Sequence, residues 1–326
     1  MVVPRVTLIC MLAALLPSPS THAQSKAVAR IGVLTLGVSP SSPFTEAFRQ
    51  GLRAHGHVEG RGVAFEYRFA EGKIDALPGL AAELVKAKVD VILTESTAAA
   101  VAAKRATDTV PIVMAATALD PVKAGLAESL NRPGSNVTGL LLFGPQLDMK
   151  RLQILRDTMP ERKTVAALVN AASPNAPERI AATTAAARTL GLQLHFVEVR
   201  GPADLDAAFR AAEKLKPGAF ITISDGMLLG QRSRIVEFVA KSRLPGIFPE
   251  RQFADAGGLM AYGVNIEANF RRAAAFVDRI LKGAKPADLP IEEPAKIDFV
   301  VNLKTAQALG VSVPPSILVG ADEVIR

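Results

Sequence analysis

The sequence predicts an α/β protein of two doubly wound parallel-sheet lobes joined by a multi-segment hinge. Short unbroken apolar runs, of the kind buried on both faces of a sheet, alternate with stretches whose apolar residues recur at helical spacing. That alternation runs once as far as Phe143 and restarts after Gly144. At roughly 150 residues per domain, the 326 residues suit about two such units.

Taken in order, Ile31–Leu36 reads as the first strand. Phe44, Phe48 and Leu52 then fall on one helix face. Val63–Phe69 alternates apolar and polar residues as a half-covered strand does. Leu77, Leu80, Ala81, Leu84 and Val85 repeat the helical spacing before a strand over 89–93. A helix over 97–106, a strand over 111–115 and an apolar piece over 137–143 complete the first set. In the second set, strands at 165–169, 193–199 and 219–223 alternate with helices near 177–190, 204–215 and 231–241. The strand-like Leu259–Gly263 and the helix carrying Phe270, Ala274, Val277 and Leu281 are expected to return to the first lobe. The lobes are therefore expected at 27–142 plus about 259–288, and at 143–258 plus about 289–326. Pro286–Pro294 reads as a connector.

The first 23 residues differ from the rest. A short basic start, the eleven-residue run Val6–Leu16 and a polar, small-residue end at Ala23 form the pattern of a cleaved secretory signal peptide. Eleven residues make a helix of about 16 Å, short of a hydrocarbon core of about 30 Å. Cys10, the single cysteine, lies inside that run rather than at a lipidation position, so the mature chain has no thiol. This suits an oxidising export compartment. A periplasmic, soluble monomer is expected. Apolar residues are 49% and charged residues 21% of the chain, which rules out a disordered composition. The net charge of +7 is spread along the chain without a basic block, so nucleic acid is not an expected partner.

Ligands of open parallel sheets collect at the carboxyl ends of strands, where helix N-termini present free N–H groups. Small hydroxylated residues stand there: Ser41 and Ser42 after the first strand, Ser96 and Thr97 after the third, and Ser173 in the second set. Asp120 follows the fourth strand. Asp225, at a strand end and followed by glycine, suits either an ammonium group or a helix cap. Tyr262 suits either stacking on a ligand or a place in the core. Arg151, Arg156, Arg232 and Arg234 are expected on solvated helix faces.

The usual catalytic equipment is missing. The four histidines have no metal-site spacing, and neither a dinucleotide fingerprint, a phosphate loop nor a G-x-S-x-G elbow is present. No catalytic residue, metal or cofactor is expected. Asn136-Val-Thr138 has the form of a glycosylation sequon, fortuitous behind a bacterial-type leader.

Several stretches together resemble the exported substrate-binding components of ABC transporters, in the group similar to tryptophan- and other aromatic amino-acid-binding proteins. They are Phe44–Arg53, Gly56–Gly60, Leu77–Val85, Asn131–Gly139, Ala256–Gly263, Arg272–Pro290, Asn302–Ala306 and Pro314-Pro315. The resemblance implies the type 1 periplasmic-binding-protein arrangement, with three crossing segments and the ligand between the lobes. It also implies a membrane permease as partner and an amino acid, aromatic in the better-known members, as ligand. On that pattern Ser41, Ser42, Ser96 and Thr97 are expected to hold a carboxylate and Asp225 an ammonium. Pro40, Ser41 and Ser42 match the family's serine-rich loop, and Asp120-Pro121 its Asp-Pro pair. Glu95 departs from the small residue common there, and Gly226-Met227-Leu228 from the usual Pro- and Phe-containing run. Two other functions fit the same cleft: a ligand sensor that docks on a membrane receptor, and an exported hydrolase using Glu95, Asp120 and Asp225.

Overall fold

A computed structural model describes Met1 and residues 28–37, 39, 41–142, 145–294 and 296–326. Apart from Met1, the expected signal segment, Cys10 included, lies outside the described residues.

The first lobe is built from β1 (Ala29–Thr35), α1 (Pro43–Ala54), β2 (Val63–Phe69), α2 (Leu77–Lys86), β3 (Val91–Thr94), α3 (Thr97–Ala106), β4 (Ile112–Thr117) and β5 (Val137–Leu141). Its five strands are all parallel, in the order β2-β1-β3-β4-β5. The central strands are buried throughout because helices cover both faces. Helix α1 starts where Ser42 accepts the Thr45 N–H, with Pro43 in the first turn. Phe44, Phe48 and Leu52 are buried on one face, as their spacing predicts.

The second lobe adds α4 (Pro145–Thr158), β6 (Thr164–Asn170), α5 (Ala176–Thr189), β7 (Gln193–Val199), α6 (Leu205–Lys214), β8 (Ala219–Thr222), α7 (Gly226–Gly230), α8 (Arg232–Lys241), β9 (Gly246–Phe248), α9 (Arg251–Asp255) and β10 (Met260–Val264). After α10 (Ile266–Leu281) come β11 (Ile297–Asn302), α11 (Leu303–Leu309), α12 (Pro315–Val319) and β12 (Glu323–Ile325). The seven strands run β12-β11-β10-β9-β8-β6-β7. All neighbours are parallel except β10 and β11, which pair antiparallel.

The return to the first lobe is later than expected. Leu259–Gly263 does not go back: β10 pairs with β9 and β11 in the second sheet. Only α10 crosses. Phe270 packs on Phe44 with ring centres 5.7 Å apart, and the Asn269 side-chain amide donates to the Ala115 and Leu141 carbonyls at 3.2 Å each. The final crossing also falls beyond 288, because Glu292 bridges Leu140 and exchanges backbone hydrogen bonds with Gly139 and Leu141 at 2.9 Å. Among the described residues the chain thus changes lobe three times, after Leu142, after Val264 and after Glu292.

One arginine departs from its expected place. Arg151, expected on a solvated face, is 2% exposed. It pairs with Asp148, which is also held by Arg179 at 2.5 Å, and both of these partners are 1% exposed. Its other nitrogen donates to the Tyr262 carbonyl at 2.8 Å. Aspartate and arginine three positions apart share a helix face, and here that face turns inward onto α5.

Candidate functional site

The strand ends of the two sheets face each other around a small cavity of about 30 Å³. From the first lobe it is lined by Glu95, Ser96 and Thr97 after β3, and by Ala116 and Ala118 around the end of β4. From the second come Ser173, Asn175, Ser224, Asp225, Gly226 and Glu250, while Leu142 and Ile266 belong to the crossing segments. Six of the lining residues are expected ligand contacts or departures from the family pattern at a strand end: Glu95, Ser96, Thr97, Ser173, Asp225 and Gly226.

Each polar group is held by its local fold. The Ser96 hydroxyl caps α3 by accepting the Ala99 N–H at 3.2 Å. The Thr97 hydroxyl accepts the Ala118 N–H at 3.1 Å, tying the ends of β3 and β4 together and leaving its own proton to donate. Ser173 donates to the Asn175 side chain at 2.8 Å. Asp225 caps α7, and its Oδ1 accepts from Met227 N–H at 2.9 Å, Leu228 N–H at 3.2 Å and the Asn170 amide at 3.1 Å. Both functions weighed for this residue, cap and site carboxylate, are therefore compatible in one side chain.

Glu95 and Glu250 are buried at the cavity, 5% and 3% exposed. Glu95 Oε2 accepts the Leu36 N–H at 2.7 Å, while its Oε1 is buried without a hydrogen-bond partner. Burial pushes the Glu95 carboxyl up to about 7; the Leu36 and Gly37 amides oppose the rise and the nearby Asp225 adds to it. Glu250 accepts from the Ser224 hydroxyl at 2.5 Å. Burial likewise pushes it up to about 7, against the pull of Ser224, Arg151 and Arg179. Asp225 is also raised by burial, opposed first by Asn170.

Ser41 and Ser42 do not share this cavity. They line a second, larger one of about 590 Å³ with Ser39, Phe44, Phe69, Met227, Arg232 and Gln252. Leu229 lines both. Gly37, on the wall of the larger one, lies against Gly226 of the smaller. Asp120 and Tyr262 line neither. Asp120 Oδ1 accepts the Val122 and Lys123 N–H groups at 3.0 and 3.3 Å, closing its own turn after Pro121. The Tyr262 ring packs edge-on against Phe299 with centres 5.7 Å apart, because β10 belongs to the second sheet and turns that ring toward β11. The ring lies half-buried against the core of the second lobe.

Glu250, Ser224 and Asn175 were not singled out from the sequence. Ser224 was visible as a strand-end hydroxyl. Glu250 follows β9, a strand of three residues too short to show any periodicity.

The buried carboxyls set a pH dependence. With Glu95 and Glu250 near 7 in the closed form and near 4.5 when solvated, the closed form binds more protons between those values. Its extra stability is full below about 4.5 and is lost as pH rises through about 7. The unliganded protein is expected to melt several degrees higher at pH 5 than at pH 8, and Glu95→Gln to reduce that difference. Differential scanning calorimetry across this range checks it, and a flat profile identical in both proteins would contradict the assignment.

The fold is that of the type 1 periplasmic binding proteins, two-lobed α/β receptors that hold small solutes between their lobes. The sequence profile of the family described as ABC transporter substrate binding protein matches residues 41–325. The chain belongs to that family, whose members bind solutes. A tyrosine-binding protein of Clostridioides difficile is 24% identical over 286 residues, covering 87% of this chain and 82% of that one. A Streptococcus pneumonia ABC domain solved in complex with L-Trp superposes with a TM-score of 0.83 at 26% identity, covering 91% of this chain and 99% of that one. A conserved domain protein of Vibrio cholerae gives the same TM-score, identity and coverage.

Proposed function

We propose that this chain is the exported solute-binding component of an ABC uptake transporter, closing its lobes on an amino acid and presenting it to a membrane permease. The observation that carries this reading is that Ser96 and Thr97 of one lobe and Ser173 and Asp225 of the other line a single cavity. An arrangement of this kind couples solute contacts to closure, because the solute is surrounded only when the lobes meet. Amino acids are the favoured class because the relatives' names specify tyrosine and tryptophan. The Thr97 hydroxyl, with its proton to donate, and the N-terminus of α3 suit a carboxylate. Asp225, whose three bonds all fall on Oδ1, offers Oδ2 to an ammonium. At about 30 Å³ the inner cavity is far below the 300–1,000 Å³ usual for ligand pockets, so entry requires the lobes to part about the three crossings.

A thermal-shift panel of the common amino acids tests this. A true solute at about 100 times its Kd should stabilise the protein by about 2.7 kcal/mol, readily seen as a raised Tm. The chain contains no tryptophan, so added L-tryptophan reports its own capture by a change in emission. No shift with any amino acid, and no small molecule retained in native mass spectrometry of protein from its own cells, would overturn the proposal.

A further inference from the structure

Three carboxyls, Glu95, Asp225 and Glu250, line the inner cavity, and among the described residues no Lys, Arg or His lines it with them. They are not equivalent. The Glu250 charge is opposed by the nearby Arg151 and Arg179 and by the Ser224 hydroxyl. Asp225 is bound by three donors. Glu95 is met by the Leu36 and Gly37 backbone amides and the Ser96 hydroxyl, with no cation among its donors, and its Oε1 is buried without a hydrogen-bond partner. An ideal Cβ on Gly226 would lie 2.3 Å from that oxygen, so Glu95 reaches across to the opposite lobe. A buried carboxylate left this way is costly unless something cationic or donating meets it.

Above about pH 7, where Glu95 and Glu250 give up the protons that burial holds on them, a zwitterionic amino acid with a neutral side chain brings one ammonium but also a carboxylate, and leaves the excess negative charge of the closed cavity uncompensated. A solute of net positive charge compensates it. The sizes agree with this. The inner cavity of about 30 Å³ has room in this arrangement for one group the size of a water or an ammonium, and a head group that also reaches Thr97 and Asp225 needs the lobes further apart. The outer cavity of about 590 Å³ shares Leu229 with the inner one and, with Ser39, Ser41, Ser42, Glu71 and Arg232 for polar groups and Phe44, Phe69 and Met227 for apolar ones, could take the rest of a solute once the lobes part. We infer that the site takes a solute of net positive charge, a basic amino acid or a diamine, and that Glu95 is the residue selecting it by meeting its protonated amine. This rests on the reading of the interlobe cavity as the solute site.

Isothermal titration of the full chain at pH 8 with L-lysine, L-arginine, putrescine, L-tyrosine and L-tryptophan tests it, alongside Glu95→Gln and Gly37→Ala. The former is isosteric and removes only the charge; the latter, argued below, blocks closure. The expected result is that at least one of the three cationic probes binds the wild type more tightly than either aromatic amino acid. Glu95→Gln should then weaken that probe roughly 10- to 100-fold, the size of a charge-assisted hydrogen bond, while leaving the aromatic probes unweakened. Preference for the lysine or arginine probe over putrescine identifies a basic amino acid, and the reverse a diamine. If an aromatic amino acid binds best and Gly37→Ala abolishes it, the cationic assignment is overturned while the interlobe site stands. If the bound probe is indifferent to Gly37→Ala, both are overturned, and if none of the five binds the wild type the cationic assignment is likewise lost.

Discussion

Gly37→Ala is expected to weaken solute binding by about 100-fold while leaving each lobe folded. An ideal Cβ at Gly37 would lie 2.0 Å from the Gly226 carbonyl oxygen and 2.7 Å from its carbon. A Cβ at Gly230 would in turn lie 2.5 Å from the Gly37 carbonyl oxygen. These neighbours are backbone, on the opposite lobe, and have no rotamer to change. The Gly37 φ lies outside the left-handed region, so alanine fits the first lobe by itself. The strain falls on the closed arrangement alone. Forcing a methyl group into a packed contact costs about 1–3 kcal/mol, and the apparent affinity falls with the fraction of closed molecules. Titration calorimetry gives the affinity, and small-angle scattering should show a larger radius of gyration in the presence of solute than the wild type has. Wild-type affinity with wild-type compaction would mean that the lobes do not meet at this glycine.

Asp148→Ala is expected to be the most destabilising single change in the second lobe. Asp148 holds Arg179 through its Nε at 2.6 Å and Nη2 at 2.5 Å, and also holds Arg151. Thr183 adds a bond at 3.4 Å. Removing the carboxylate leaves two buried guanidinium groups facing each other without it. Breaking a buried pair in this way costs about 3–5 kcal/mol, a large share of the 5–15 kcal/mol that most domains have. A Tm drop of roughly 10 °C follows. An apolar triple replacement of Asp148, Arg151 and Arg179 should recover much of the loss, since the expense lies in the unpaired charge rather than in the missing bridge. By contrast Lys123→Ala, which removes an exposed 3.8 Å pair with Glu178, should change stability by less than about 1 kcal/mol. Chemical denaturation of the four proteins compares them, and an Asp148→Ala protein as stable as Lys123→Ala would refute the role given to the cluster.

The triad also shows where sequence reasoning stops. Asp148 and Arg151, three positions apart, look like any pair on a wet helix face. Arg179, the residue that makes them a core feature, lies on another helix. Burial of α4 against α5 is a property of the packed lobe, and α4 has no strong apolar face to announce it. The first lobe was far more legible. Its ranges Val63–Phe69 and Thr97–Ala106 appear in the structure as read, as does Gln193–Val199 in the second lobe, because apolar period and helix caps are local signals. Among the described residues, the short strands β9 and β12, three residues each, gave no such signal.

The site divides in the same way. Ser96, Thr97, Ser173 and Asp225 could be picked out because a parallel sheet places strand ends together, a rule that needs only the order of elements. Tyr262 lines neither cavity, and nothing local says that β10 stays in the second sheet while α10 leaves it. The class of fold, the two sets of strands and the hydroxylated strand ends were legible along the chain, because those depend on spacing in the sequence. Only the tertiary structure decided that Glu95 and Gly226 meet across the lobes, that the serines fall into two cavities, and that Arg151 is buried. Those outcomes depend on desolvation and contact between segments far apart in the chain, which no local pattern records.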